Sequence, residues 1–203
     1  MKKTLAILGN GGHAREVADA ATLSGWKDIK FFDDLESLGK VEGDTNVLLK
    51  NLSKFDGVIV AIGDNLIRWR KIKLLKENSA NLVSIIHPSA TISEDVTIGT
   101  GSAVFAGVVI NPGCSIGDGA ILNTSAVITH DCKLGTAIHI SPGAVLCGNV
   151  NVSDFSWIGA NAVVIEGIKI TNKVNVGSGA VVIRDIKNKG TYVGNPAKKL
   201  TKK

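Results

Sequence analysis

The sequence predicts an α/β subdomain of βαβαβ order, half of a doubly wound sheet, followed by an all-β parallel β-helix built from six-residue repeats. Three observations carry this. Aliphatic residues recur at every sixth position from Ile86 to Val182. Residues tolerant of positive φ, mostly glycine, stand three places after many of them. The chain before Ile86 lacks that period and alternates short apolar runs with amphipathic segments. A fixed period of this kind is the signature of a solenoid and decides the fold.

The repeat runs through Ile86, Ile98, Ile110, Ile128, Ile140, Ile158 and Val182 among seventeen positions, with no exception and no inserted loop. The residue two places earlier is also small or apolar, as at Val96, Cys114, Ala120, Cys132, Ile138 and Val150. Two inward side chains spaced by two define a short strand. Gly101, Gly107, Gly113, Gly119, Asp131, Gly143, Asn149, Asn161, Gly167 and Gly179 occupy the turn position, where a left-handed backbone costs them least. Each hexad is therefore a strand and a corner. Three hexads close a triangular coil, and coils stack at about 4.8 Å.

Residues 18 apart then form columns. One outward column reads Thr91, Val109, Val127, Val145, Val163, Val181; a second reads Thr97, Ser115, Lys133, Asn151, Lys169; the third is mixed, with Ala103, Ile121, His139, Trp157 and Asn175. A stripe of five valines is more apolar surface than a monomer leaves wet. Packing of this stripe against the mixed face of a neighbour is a head-to-tail contact that closes into a ring, and a triangular prism points to three subunits. Cover by the N-terminal part of the chain, or a membrane, is the alternative.

The first third begins with a strand from Thr4 to Leu8, a turn at Gly9-Asn10-Gly11-Gly12-His13 and a helix ending near Gly25. A second strand, Ile29 to Phe32, ends in Asp33-Asp34. A third, Gly57 to Ile62, leads through Gly63-Asp64-Asn65 into another helix, and Leu82 to Ile86 runs into the coil. In such sheets ligands bind beyond the strand ends, and glycines let amides at a helix N-terminus approach a phosphate. The space before the repeat holds only half of a dinucleotide fold, so a ligand the size of a nucleotide monophosphate, or a nucleotide sugar, fits better than NAD. A plain strand-to-helix turn would use the same glycines. The domain boundaries expected are 1–84, 85–187 and a C-terminal loop and tail at 188–203.

Composition narrows the classes further. The 203 residues are 44% hydrophobic and only 4% aromatic, so the apolar mass is small and aliphatic. No run of about 18 apolar residues exists for a membrane span. The apolar stretch after Met1-Lys2-Lys3 meets glycines too soon for a signal peptide, which points to a cytoplasmic protein. Three cysteines, Cys114, Cys132 and Cys147, read as small core fillers rather than a disulfide or metal site. The net charge of +5 suits small anions. The basic end, Lys198-Lys199-Leu200-Thr201-Lys202-Lys203, is expected to fray, and no nucleic-acid footprint is present.

The two parts together resemble bacterial sugar acetyltransferases related to sialic-acid O-acetyltransferase, and among them the enzymes that N-acetylate nucleotide-linked 4-amino-4,6-dideoxy sugars. The resemblance rests on Gly9-Asn10-Gly11-Gly12-His13, Phe31-Phe32-Asp33-Asp34, Ala61-Ile62-Gly63-Asp64-Asn65, Leu122-Asn123-Thr124-Ser125, His130-Asp131-Cys132, His139 and Tyr192-Val193-Gly194-Asn195-Pro196-Ala197-Lys198. It implies a left-handed coil, against the usual right-handed crossover, and acetyl-CoA as co-substrate with no metal. It also implies His130 as general base beside Asp131, where the family has Glu, and His139, Ala160 and Ser178 along acetyl-CoA. Gly11, Gly12, His13, Asp33, Asp34 and Gly63 would hold a UDP-, dTDP- or GDP-linked sugar in a homotrimer with sites between subunits, serving surface-glycan or glycoprotein biosynthesis. The plainer alternatives are a surface histidine at 130, a turn acid at 131, an interface filler at 139 and a helix cap at 13. An O-acetyltransferase acting on sialic acid or a related sugar is the nearer rival for the whole chain, and a β-helix scaffold protein the more distant one.

Overall fold

The computed structural model describes residues 3–35 and 41–201. Strands β1 (Thr4–Leu8), β2 (Asp28–Phe32) and β3 (Gly57–Val60) form a parallel sheet in the order β2-β1-β3. The central strand is buried from Leu5 to Leu8, as a parallel strand covered on both faces must be. Helix α1 (Gly12–Leu23) follows β1 and buries Ala14, Val17, Ala20 and Ala21. A short helix α2 (Thr45–Lys50), unforeseen in the sequence, starts at Asp44, whose side chain accepts from the Val47 amide. Helix α3 (Asn65–Glu77) begins at Asp64, whose carboxylate accepts from the amides of Leu66 and Ile67, a cap contributing about 1 kcal/mol.

The stretch from Leu82 is less regular than expected. Leu82 makes one bridge to Val58, and only Ile85–Ile86 forms a strand, already pairing with Ala103 and Val104 of the coil. The chain thus passes from sheet to solenoid with no linker. From there the hexads wind a left-handed prism with three walls of two- or three-residue strands. The register is 18 residues: Ile128 lies between Ile110 and Leu146, and Val127 between Val109 and Val145. Their inward partners are dry, with Ile128, Cys132, Ile140, Leu146 and Ile158 at 0% exposure. Ile86 departs from the pattern at 37% exposure, because no coil lies above the first one.

The corners contain surprises. Besides the glycines, Asp131 and the asparagines, positive φ occurs at Ser125, Ala137, Phe155 and Lys173, at a cost of about 1 kcal/mol each. Hydrogen bonds from coil to coil offset it, as from the Ala137 amide to the Asp118 carbonyl and from Phe155 to Thr136.

Two packing features differ from expectation. The upper part of the mixed wall faces this chain's own N-terminal sheet: Ala103, Phe105 and Ile121 share a core with Leu5, Ile7, Ala14 and Val17. Only the lower part, from His139 down, remains for other partners. The C-terminal segment also packs on the last coil. Gly190–Val193 adds a parallel strand beside Val174–Val176, and Lys198–Lys199 folds back antiparallel on it. The valine column stays half-exposed and the Thr97-to-Lys169 column faces solvent. Among the described residues no helix is long and apolar enough to cross a membrane.

Candidate active site

The loops after β1, β2 and β3 surround a cleft of about 430 Å³, and Gly11, Gly12, His13, Asp33, Asp34 and Gly63 all line it. The glycines differ in their reasons for being glycine. Gly9 has φ +127°, and a Cβ there would meet the Ala61 carbonyl oxygen at 2.5 Å, so the fold requires it. Gly11 and Gly63 have no such φ and open space where a Cβ would stand. Neither backbone conformation nor packing requires glycine at these two positions. The acids serve the loops first: Asp33 accepts from the amides of Asn10 and Leu35, and Asp34 from the Thr45 amide and Lys71. Partial burial raises the Asp34 pKa, but the bonds from Lys71 and Thr45 outweigh it and hold it at about 2. A carboxylate has lone pairs beyond these, so both acids keep acceptor capacity. Lys71, which no sequence motif singles out, brings a cation to the same wall.

A second cavity of about 470 Å³ meets the first at Gly63 and lies over the lower mixed wall, against His139, Trp157, Phe155 and Lys173. His139 stacks on Trp157, ring centroids 5.7 Å apart, while the Trp157 indole donates to Ser141. The tautomer of His139 follows from its neighbours. The Asn123 carboxamide oxygen accepts from the Thr124 amide at 2.8 Å, which turns the Asn123 Nδ2 toward His139 Nε2 at 3.4 Å. Nε2 is then the acceptor and Nδ1 carries the proton. Burial, with the nearby Arg68 and His13, lowers the His139 pKa to about 3. Burial and Arg68 lower that of His13 to about 4. Both rings are neutral near pH 7.

His130 occupies a different place. It stands on the corner between the valine wall and the polar wall, 65% exposed, with Nδ1 2.8 Å from Asp131 Oδ2. The carboxylate can only accept, so Nδ1–H is the donor. The ring lies over Gly148 of the next coil, where a Cβ would stand 2.5 Å from both Cε1 and Nε2. Glycine at that position is what lets the imidazole come this close to the prism. Ala160 and Ser178 stack on the corner between the mixed and valine walls, where the Gly179 amide donates to the Ala160 carbonyl.

Within one chain these residues form separate groups. The six cleft residues and His139 adjoin across Gly63, whereas His130 sits on the corner opposite the mixed wall. A triangular cross-section keeps that corner away from both cavities. Among the described residues no cluster of His, Cys, Asp and Glu is arranged to hold a metal ion. Two of the cysteines are core: Cys114 and Cys132 are buried and donate to the carbonyls of Thr129 and Cys147, while Cys147 is itself half-buried.

Residues 4–75 match the PglD N-terminal domain. The chain superposes over 99% of its length on PerB from Caulobacter crescentus, solved with CoA and GDP-perosamine, covering 99% of that chain at 37% identity and a TM-score of 0.93. It also matches the acetyltransferase domain of PglB from Neisseria gonorrhoeae, solved with acetyl coenzyme A. There the identity is 38% and the TM-score 0.92, over 98% of this chain and 100% of that one. WeeI from Acinetobacter baumannii, at 24% identity and a TM-score of 0.89 over 98% of this chain and 100% of that one, has the same fold. A PglD N-terminal domain joined to a hexapeptide prism defines a left-handed β-helix acyltransferase. The chain belongs to the family of sugar N-acetyltransferases that contains PerB and the PglB acetyltransferase domain.

Proposed function

We propose that this enzyme transfers acetyl from acetyl-CoA to the amino group of a nucleotide-linked 4-amino-4,6-dideoxy sugar. The observation that carries the reading is the whole-length likeness to PerB, an enzyme solved with CoA and an amino-sugar nucleotide. Residues 1–84 would hold the nucleotide sugar, residues 85–187 would carry acetyl transfer, and residues 188–203 would close the lower end. The sugar amine attacks the thioester carbonyl and loses a proton to His130 Nε2, while Asp131 stabilises the imidazolium formed. The tetrahedral oxyanion is met by donors such as His139 Nδ1–H. Collapse expels the CoA thiolate, which takes a proton, and the N–C bond replaces the S–C bond. Ala160 and Ser178 lie where the pantetheine arm would pass on its way to His139.

Because His130 stands on the far corner of its own prism, we infer a homotrimer in which one copy's His130 faces the next copy's His139 and nucleotide cleft. The half-exposed valines beside His130 supply the contact surface. Both substrates are polyanions that do not cross a bilayer unaided, so the expected compartment is the cytoplasm.

The test is a thiol-release assay with acetyl-CoA and GDP-, UDP- or dTDP-linked 4-amino sugars. Acceptor-dependent thiol release with the amine and none with the 4-hydroxyl analogue is expected. Release with the hydroxyl compound alone would make it an O-acetyltransferase, and none with any sugar would return the chain to the scaffold class. Gly63→Ala adds a methyl where the two cavities join and strains nothing in the fold. It is expected to raise KM for the nucleotide sugar about tenfold, the equivalent of 1.4 kcal/mol, with Tm unchanged. An unaltered KM would remove Gly63 from the ligand path.

A further inference from the structure

We infer that Arg68 is a positioning residue, whose buried guanidinium sets the separation between the nucleotide-holding loop at Gly63 and the strand carrying His139. The inference rests on the functional reading above. Arg68 lies one turn into α3 and is 1% exposed. One edge of its fork, Nη1, donates to the carbonyls of Ile62 and Gly63, both at 2.9 Å. The other nitrogen, Nη2, donates to Ala137 at 3.0 Å, to Ile138 at 3.1 Å and to the Asn65 side chain at 2.7 Å. Nε closes the set on the Gly119 carbonyl at 2.8 Å. Ile138 immediately precedes His139, and Gly63 is the wall both cavities share. A single rigid plane therefore joins the floor of one ligand site to the floor of the other.

The choice of residue is informative. None of the acceptors is a carboxylate: the buried charge is met directly by amide dipoles, and the Asp64 carboxylate acts on it only through space. A well-packed apolar side chain would join two bodies at lower cost. What an apolar side chain cannot do is fix the distance between two backbone segments from both edges of a plane, which the guanidinium fork does. The neighbouring contacts on α3 are of the ordinary kind: Ile72 packs on Gly101 and Gly119 of the same corner.

Arg68→Lys keeps the charge and loses the fork. It is expected to raise KM for the nucleotide sugar and lower kcat, with kcat/KM down ten- to a hundredfold, while Kd for CoA alone stays within twofold. Ile72→Ala, which loosens the same contact without touching the fork, is expected to lower Tm with KM unchanged. Should Arg68→Lys not fold, Asn65→Ala carries the test, since it removes one Nη2 acceptor, along with the Asn65 Nδ2 bonds to the Phe155 and Ser156 carbonyls of the same wall, and leaves the charge in place. It should raise KM three- to tenfold and leave the Kd for CoA unmoved. Wild-type KM and kcat in the folded Arg68→Lys variant, an unaltered KM in Asn65→Ala, or an equal KM rise in Ile72→Ala would each overturn the inference. A wild-type chain inactive on every amino-sugar nucleotide defeats the functional reading instead. Nucleotide affinity measured by calorimetry, expected to fall in Arg68→Lys, then still decides the role of Arg68.

Discussion

His130→Ala should lower kcat by about two to four orders of magnitude, the usual worth of a positioned general base, while CoA and nucleotide sugar still bind. The imidazole touches little that the fold needs: it is exposed, bonded among the described residues to Asp131 alone, and rests on Gly148. Removing it leaves the coil core, from Ile110 through Ile128 to Leu146, unchanged. A loss of stability accompanying the loss of rate would therefore point away from catalysis and toward packing. Single-turnover kinetics together with calorimetric CoA binding read the two effects separately. More than a tenth of the wild-type rate surviving in the variant would take the base role from His130 and reopen the search among His13 and His139.

The paired change Val127→Glu with Val145→Glu should give monomers by sedimentation and at least a hundredfold loss of turnover together. The two valines are stacked neighbours on the wall beside His130 and point outward. Glutamates there leave the inward residues Ile128 and Leu146 in place, so each prism should keep its circular dichroism spectrum. At an interface the same carboxylates would be buried without partners, at several kcal/mol each. Dissociation and inactivity should coincide because His130 lies across the prism from His139 in its own chain. A fully active monomer would defeat the shared site.

The prism was legible because a solenoid core must repeat its inward residues in every coil, and no hexad from Ile86 to Val182 breaks the rule. The glycine turn and the paired acids were legible through the ends of β1 and β2, where ligand loops belong. Arg68 was not, since five of its six acceptors are backbone carbonyls, three of them on coils 51 to 70 residues away, and carbonyls leave no mark in a sequence. The same holds for the upper mixed wall. Ala103 and Ile121 announce that something covers them, but a column of side chains does not say whether the cover is another copy or the chain's own sheet. Phe155 and Lys173 take left-handed corners that side-chain type argues against, because their place in the stack outweighs local preference.

The reversal of the last strand, Lys198–Lys199, sets a limit on growth. Parallel coils could in principle accept another coil beneath them, and a prism open at its lower end would be a template for filaments. A final strand running the other way, with two lysines on its rim, presents the wrong polarity and a repelling charge to any incoming copy. End-to-end stacking of copies at this rim is thereby disfavoured.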